Sequence, residues 1–367
     1  MPDRERLTGL FMRFAACSSE SLKEKDFCEM VEEKLLSLGL HVERDEAGAR
    51  FGSDGFNIYA RLDGAGEPIL LNAHLDTVAP CTGIEPVNDN GIIRSKGDTV
   101  LGADDKAAVA AVIEAVESVA QSGMPHRTVE ILFTLSEEIG MLGAKFADYS
   151  KIRSKKAIVL DGDTTGEIVN SNPANVVLRF TLKGKAAHAG IAPEEGVHAL
   201  KAAAEAVAAI PVGHVDELSV MNVGTFTCDG KTNIVPPLAC FEMEVRSFSE
   251  QRLRELIALS ENAVKDACAK YGAGYEMETS RHSDVVGTPE DSSLIGEIKA
   301  ALAAIGEQAV VTRSFGGCDM THIGARGIEV ANLGIGMNNI HSCEENISVS
   351  DLFKAAQLLE HIIFSAT

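Results

Sequence analysis

The sequence lacks any apolar run long enough to span a bilayer, which needs about 18–20 consecutive apolar residues. Its first residues, MPDRERLTGLFMRFAACSSE, mix acidic with basic side chains and hold no proper hydrophobic region, so we expect no secretory signal. Positive charge is also scarce: 33 Lys and Arg stand against 54 Asp and Glu, for a formal net charge of -21. A surface this acidic argues against nucleic acid and anionic membranes as partners.

Paired cysteines and a serine nucleophile motif are missing as well. The 8 cysteines form no CxxC pair and are scattered along the chain, at Cys17, Cys28, Cys81, Cys228, Cys240, Cys268, Cys318 and Cys343. This usage is typical of buried thiols in a reducing compartment, so we expect a cytoplasmic protein without a thiolate metal site. Because no Gly-x-Ser-x-Gly motif is present, serine catalysis has little support.

What is present indicates an ordinary globular protein. The 367 residues suggest about two domains, and 45% hydrophobic with 24% charged residues is a normal globular composition. The sequence predicts strands at 55–62 and 68–75, and continuous apolar runs at 128–135 and 156–163 predict strands buried on both faces. Helical spacing predicts helices at 22–38 and 107–121. Strands separated by helices favour an α/β sandwich.

The pattern changes near residue 174. Strand-like segments at 175–184, 219–230, 238–248 and 274–281 alternate with helical segments at 194–210 and 250–270. This order is that of a split βαβ fold. We therefore predict a smaller domain over 174–286 inserted into a discontinuous domain, 1–173 and 287–367. The second part of that domain returns to α/β texture, with helices near 291–305 and after Ser350 and strands near 309–313 and 328–333.

Chemically reactive side chains gather where predicted strands end, which is where open α/β sheets form their sites. The segment LLNAHLDTVAP places His74 and Asp76 on one face of a strand end, so the carboxylate is near enough to orient an imidazole that binds a metal. Asp161 ends another apolar strand, and a carboxylate there is costly unless it is paired or bound to a cation.

Further acids and one histidine stand in the loops. Asp104 and Asp105 precede a helix, where a role as helix cap and a role as metal ligand are both open. Glu137 and Glu138 follow an apolar strand, so one can bind a metal while the other accepts a proton from water. His341 lies in a loop before the last helix, and a lone loop histidine is usually only solvated.

Taken together, these groups fit two divalent ions about 3.5–4 Å apart. Nitrogen and oxygen ligands without thiolate suit zinc, with manganese or cobalt as alternatives.

The motifs HLDTV, LGADDKAAVA, SEEIGMLGA, VLDGD and GKAAHAG resemble, in order and spacing, the co-catalytic zinc family of tripeptidase T, glutamate carboxypeptidase and the aminoacylases. The LGADDK and NIHS stretches are most similar to tripeptidase T and its relatives. The resemblance covers nearly the whole chain. It implies a catalytic α/β/α sandwich of zinc-exopeptidase type, an inserted α+β, ferredoxin-like lid that also forms a homodimer contact, and hydrolysis of small peptides.

The resemblance also implies roles for residues. One metal would be held by His74, Asp104 and Asp161, and the other by Asp104, Glu138 and His341. Asp76 would orient His74, and Glu137 would be the general base and acid.

In the lid, His188 of KAAHAG would meet the scissile carbonyl oxygen, often from the neighbouring subunit. Asn233 and Arg246 would hold the substrate and its carboxylate. A plain loop histidine, a turn residue and a surface ion pair are the alternatives for these three. Gly316, Gly317 and Asp319 are expected in a loop near the active site.

The sequence leaves other functions open. The chain is somewhat short for a tripeptidase T, and determinants for the free amino end of a peptide are not evident. An amidohydrolase of N-acyl amino acids or related small amides, using the same metals, is therefore the alternative. A non-catalytic relative would be expected to have lost Glu137 or a ligand, and a structural scaffold would not explain the ordered set of motifs.

Overall fold

The computed structural model describes residues 1–365 of the chain. It divides into two compact units, one made of Met1–Ser171 with the chain from Gly287 onward, the other of Asn172–Val286. The catalytic role of the first unit and the lid role of the second stay predictions.

The described residues form the following helices and strands. The α-helices are α1 (Arg4–Ala15), α2 (Lys25–Ser37), α3 (Ala103–Ser122), α4 (Leu142–Phe146), α5 (Ala199–Ala209), α6 (Glu250–Tyr271), α7 (Ser293–Ala304), α8 (Met320–Gly324) and α9 (Val349–Phe364). The strands are β1 (His41–Arg44), β2 (Ile58–Leu62), β3 (Ile69–His74), β4 (Pro86–Asp89), β5 (Ile92–Ser95), β6 (Val129–Thr134), β7 (Lys156–Gly162), β8 (Glu167–Val169), β9 (Ser171–Asn172), β10 (Ala174–Lys183), β11 (Gly213–Asp216), β12 (Ser219–Thr227), β13 (Leu238–Ser247), β14 (Gly274–Ser283), β15 (Val286–Gly287), β16 (Val310–Thr312), β17 (Glu329–Gly334), β18 (Met337–Asn338) and β19 (Asn346–Ser348).

The first unit is built on an 8-stranded mixed sheet with the order β1-β2-β6-β3-β7-β17-β8-β16. Its four central strands, β6, β3, β7 and β17, run parallel to one another. All residues of β3 and β6 are buried, as expected for strands covered on both faces. The predicted α/β class is confirmed, and the carboxyl ends of the parallel strands meet at one edge of the sheet.

Helix α3 is the central helix of this unit. Alanine and valine fill it, and its buried residues run from Ala103 to Val119 without interruption. It packs on β3 and against α1 and α9, which explains why it is buried on all of its sides. None of the helices within residues 1–365 has both the length and the apolar character that a membrane-spanning helix needs.

The second unit carries a 5-stranded antiparallel sheet with the order β11-β12-β13-β10-β14. Helices α5 and α6 pack against β13 and β10. The rings of Phe180 and Phe241 stack inside this unit with centroids 5.0 Å apart. Four of the strands and the two helices follow the predicted split βαβ order.

One predicted boundary is wrong, and several elements, α1 and β11 among them, were not predicted. The N-terminal segment forms α1, for which no helix was predicted. The helix predicted from residue 194 begins only at Ala199, because Pro193–Glu195 makes a short 3-10 turn and the backbone at Gly196 is extended. The short strand β11 was not predicted, since Gly213–Asp216 has no apolar run and gains its pairing from β12.

The close approach of Gly334, the last residue of β17, to the loop after β7 yields a stability prediction. A Cβ on Gly334 would lie 1.8 Å from the carbonyl oxygen of Thr164, which is backbone and cannot give way. We expect Gly334→Ala to lower the thermal unfolding midpoint by several degrees. The control is Gly296→Ala in α7, where a Cβ meets no atom within 4 Å, and which should raise stability by about 0.5–1 kcal/mol. Equal midpoints for the two variants in scanning calorimetry would contradict this account.

Candidate active site

The candidate site lies at the carboxyl edge of the central sheet in the first unit. His74 is the last residue of β3, and it pairs in register with Thr134, the last residue of β6. Asp161 is next to last in β7, and its N–H donates to the side-chain oxygen of Asn332 on β17 at 2.8 Å. Three neighbouring strands therefore deliver their polar ends to one place.

Asp104 occupies the centre of the site, between two imidazoles. Its Oδ1 lies 3.0 Å from Nε2 of His74, and its Oδ2 lies 3.1 Å from Nε2 of His341. The same His341 nitrogen lies 2.9 Å from Oε2 of Glu138. Residues 30 to 237 positions apart in the chain (104 − 74 and 341 − 104) thus meet within hydrogen-bonding distance.

The turn that presents Asp104 argues against the helix-cap role, one of the two roles that the sequence left open for this stretch. Gly102, not an aspartate, is the N-cap of α3 and has a left-handed backbone with φ 73°. Asp104 and Asp105 both have non-helical backbone angles, and the peptide bond between them is cis. Asp105 is fully buried, and its Oδ2 accepts the N–H of His74 at 3.0 Å. Its carboxylate therefore binds the end of β3 instead of capping the helix.

Asp76 joins the histidine to the two glutamates. Nδ1 of His74 lies 3.0 Å from the backbone oxygen of Asp76 and 3.4 Å from its Oδ1, so the carbonyl is the closer partner. The carboxylate accepts the N–H of Glu137 at 2.8 Å and of Glu138 at 3.3 Å, and the hydroxyl of Ser21 at 2.7 Å. Asp76 therefore orients the imidazole and also the loop that carries Glu137 and Glu138 (residues 136–141, the glutamate loop). The sequence did not indicate the contact with this loop.

The glutamate loop has an unusual backbone. Ser136 and Met141, on either side of the two glutamates, have left-handed φ angles of 49° and 55°. Such angles in residues other than glycine are costly and cluster at functional sites. His341, on its own loop, has φ 60°. Glu137, Glu138 and His341 are thus held by loops whose backbone includes left-handed residues other than glycine.

Charge around the imidazoles favours their protonated form. Burial opposes protonation of His74, but hydrogen bonds with Asp104 and Asp76 outweigh it and raise the pKa well above its ordinary value. The hydrogen bond with Asp104 raises the pKa of His341 to about 9. Burial alone would raise the pKa of Asp104, yet its hydrogen bonds with the two imidazoles lower it.

The remaining carboxyl groups resist ionisation. Burial raises the pKa of Glu138 to about 7. Burial, followed by the charge of Asp161, raises the pKa of Glu137 well above its ordinary value. For Asp161 the causes are burial and the charge of Asp104. These acids crowd each other so closely that, without cations, protons must compensate their charge.

The donors fit divalent metal ions. Ligand atoms of His74, Asp104 and Glu138 lie within 4.8 Å of one another, and so do those of His74, Glu137 and Asp161. Oε1 of Glu138 is buried, and the residues that the structure describes offer it no hydrogen-bond partner. Imidazole nitrogens with carboxylate oxygens are a donor set for zinc and similar ions. All five predicted ligands lie in this site. The two groups of neighbouring ligand atoms differ from the predicted ligand sets, because Glu138 accompanies His74 and Asp104 in one group and Glu137 accompanies His74 and Asp161 in the other.

The three residues predicted to bind substrate lie in the second unit. The N–H of Ala189 donates to the carbonyl of Asn233 at 2.9 Å, and His188 forms a β-bridge with Ile234. His188 and Asn233 are therefore on adjacent, exposed segments. Arg246 lies on β13, where its Nη2 donates to Glu244 at 3.0 Å. Their roles stay predictions.

Two buried carboxylates complete the surroundings. Asp319 is 1% exposed, and its Oδ2 accepts hydrogen bonds from the hydroxyl of Thr134 and, at 3.2 Å, from the amide of Asn72. The expected loop around Gly317 lies against Met141 of the glutamate loop. Glu345, also 1% exposed, binds the backbone of the Asp104 turn. No local signal marked Glu345, since its partners lie more than 240 residues away.

Comparison with known proteins gives consistent matches. Residues 70–365 match the model of "Peptidase family M20/M25/M40". The chain is 32% identical over 369 residues to the uncharacterized protein YqjE of Bacillus subtilis, with 100% of both chains covered.

Two solved structures are similar over their full length. The aminopeptidase PepT of Bacillus cereus superposes with a TM-score of 0.94 at 33% identity, covering 99% of this chain and 98% of that one. A tripeptidase of Staphylococcus aureus superposes with a TM-score of 0.96 at 28% identity, covering 100% and 99%.

The crowded carboxylates generate a prediction about cations. Saturating zinc should raise the thermal midpoint of the wild-type protein, because an ion at 100 times its dissociation constant stabilises by about 2.7 kcal/mol. Asp104→Asn should abolish most of this shift, since Asp104 contacts both imidazoles. The exposed Asp291→Asn is the matched control and should keep it. An equal zinc shift in Asp104→Asn and wild type, measured by scanning calorimetry, would exclude Asp104 from the metal site.

Proposed function

The chain belongs to peptidase family M20/M25/M40, and we propose that it cleaves small peptides at a site of two divalent ions, with Glu137 as the general base. It is a metal-dependent exopeptidase, a reading supported by the full-length similarity to an aminopeptidase PepT and to a tripeptidase. The observation that carries the proposal is the contact of Asp104 with both His74 and His341 beside two half-buried glutamates.

We assign the metal ligands as the family motifs suggest. His74, Asp104 and Asp161 would hold one ion, while Asp104, Glu138 and His341 would hold the other. A single carboxylate has two oxygens, so Asp104 could contribute to both. We propose zinc as the native metal, because the donors are imidazoles and carboxylates without a thiolate. Bound divalent ions supply Lewis-acid chemistry, lowering the pKa of water and polarising the carbonyl group that is attacked.

Glu137 performs the proton transfers in this proposal. Its carboxylate accepts a proton from the attacking water as the water oxygen bonds to the carbonyl carbon. It then delivers that proton to the nitrogen of the leaving amine as the C–N bond breaks. Burial raises the pKa of Glu137 above that of an ordinary carboxyl group, so it holds the transferred proton more strongly than an exposed glutamate would. The hydrogen bond from its N–H to Asp76 fixes the start of its side chain.

Substrate binding is assigned to the second unit. We propose that His188 donates a hydrogen bond to the oxygen of the scissile carbonyl, and that Asn233 and Arg246 hold the peptide and its carboxylate. Arg246 offers a planar pair of donors suited to a carboxylate. The neighbouring Glu244 binds it in the structure. We further propose a cytoplasmic homodimer assembled through Asn172–Val286.

The first test replaces the general base. Glu137→Gln keeps the size of the side chain but cannot accept the proton, so we expect kcat for a tripeptide to fall by about 10²–10⁴-fold. Metal content, measured by emission spectroscopy on the purified protein, should stay at the wild-type level. The matched control is Glu290→Gln, an exposed position in the same unit. Turnover by Glu137→Gln within a few-fold of wild type would exclude Glu137 as the base.

A second test concerns metal and substrate class together. Dialysis against a chelator should remove hydrolysis of di- and tripeptides, and zinc, manganese or cobalt added back singly should restore it. The same preparations are assayed on N-acetyl amino acids by detection of the new amine. Peptide hydrolysis that survives the chelator would contradict metal dependence. Faster release from N-acetyl amino acids than from every peptide would replace the peptidase proposal by the amidohydrolase alternative.

A further inference from the structure

Glu345 is a buried acid that the proposed reaction does not use. It lies at the end of the loop between β18 and β19, four residues after His341 (345 − 341). Only 1% of its surface is exposed. A carboxylate removed from water is costly unless hydrogen bonds replace the lost hydration. Its hydrogen-bond partners therefore indicate the structural role of Glu345.

Three backbone N–H groups donate to this one carboxylate. Oε2 accepts from Leu101 and Gly102, both at 2.7 Å, and Oε1 accepts from Asp104 at 2.9 Å. The donors belong to the turn that opens α3. Successive N–H groups that point at one anion form a small concave binding surface, which here is filled by a side chain of the protein.

The turn has no equivalent partner of its own. Its N-cap residue is Gly102, which offers no side chain to bind the first N–H groups of α3. Glu345 supplies the missing acceptor from a distant part of the chain. Its carboxyl group also lies at the N-terminal, positive end of α3, where negative charge is favoured.

The same turn and the same loop carry residues of the metal site. Asp104 gives its N–H to Glu345 while its carboxylate contacts His74 and His341. His341 stands in the loop that Glu345 closes, where Glu345 also donates its own N–H to the carbonyl of Ser342 at 3.1 Å. One carboxylate therefore connects the backbone that aims Asp104 to the loop that aims His341.

We propose that Glu345 is a positioning residue for the metal site, tying the His341 loop to the Asp104 turn so that these two of the three ligands of the second ion are held at a fixed separation. The inference rests on the proposed function, because it concerns the ion assigned to Asp104, Glu138 and His341. Glu345 itself contacts neither imidazole. It acts through backbone atoms, and its removal leaves every proposed ligand in the chain.

Glu345→Gln is the informative substitution. The amide has the shape of the carboxylate, but one of its two ends is an N–H₂ group and cannot accept a hydrogen bond. At least one N–H of the turn therefore loses its acceptor. Removal of an outer partner of a metal ligand typically weakens metal binding by about 10–100-fold, and we expect a loss in that range for the more weakly bound ion.

The experiment titrates zinc into metal-free protein by calorimetry for wild type, Glu345→Gln and Glu344→Gln. Glu344 is the exposed neighbour in the same loop and serves as the matched control. We expect two zinc ions to bind wild type and the control alike, and the second ion to bind Glu345→Gln about 10–100-fold more weakly. With zinc in excess, kcat should return towards wild type and KM for a tripeptide should be unchanged.

The outcomes separate the two proposals. Unchanged zinc affinity in Glu345→Gln, with only a lower thermal midpoint of the metal-free protein, would show a merely structural role and overturn the inference. Wild-type protein that binds no zinc would overturn the metal proposal itself.

Should Glu345→Gln fail to fold, Gly102→Ala tests the same contact from the other side. Its Cβ would lie 3.0 Å from Cγ2 of Thr77 on a backbone with φ 73°, which displaces the Gly102 N–H and leaves Glu345 intact. We expect a smaller loss of zinc affinity in this variant. Wild-type affinity there would overturn the inference.

Discussion

The placement of the Asp104 carboxylate between two imidazoles is the interaction on which the candidate site depends. Asp104 is 6% exposed and lies among other buried acids, so its charge is tolerated only through close partners. His74 and His341 provide them at 3.0 and 3.1 Å. Around this centre, Glu137, Glu138 and Asp161 have raised pKa values because burial and mutual repulsion disfavour their charged forms. Such a cluster is unfavourable as structure alone and becomes favourable when cations bind it.

The sequence was sufficient to predict the strand ends but insufficient to predict the turns. His74, Asp161 and the two glutamates follow apolar runs, and parallel strands necessarily bring their carboxyl ends to one edge. The cap role considered for Asp105 failed because its carboxylate binds the N–H of His74, a contact that no pattern of neighbouring residues encodes. Glu345 was missed for the same reason. In CEEN it resembles any exposed loop acid, and only the folded chain brings the α3 turn to it.

Asp76 illustrates how one side chain can serve two parts of a site. The i, i+2 spacing from His74 predicted that it would orient the imidazole, yet the nearest partner of Nδ1 is its backbone carbonyl. Its carboxylate is therefore free to accept the N–H groups of Glu137 and Glu138. The position of the proposed base is in this way coupled to the position of a metal ligand. The spacing of residues along a strand predicts which side chains share a face. Which groups those side chains bind depends on the hydrogen bonds that a neighbouring loop offers.

Helix α3 explains why the centre of the site can be held so firmly. The helix is buried along almost its whole length, and most of its own side chains are small and apolar. It packs on β3, α1 and α9. Small residues allow these elements to approach closely, so the helix has little room to shift along the sheet. The sheet strand β3 ends in His74 and the helix begins at the Asp104 turn, so packing of one against the other sets the distance between the two ligands. The apolar core of the first unit thereby determines the geometry of its most polar site.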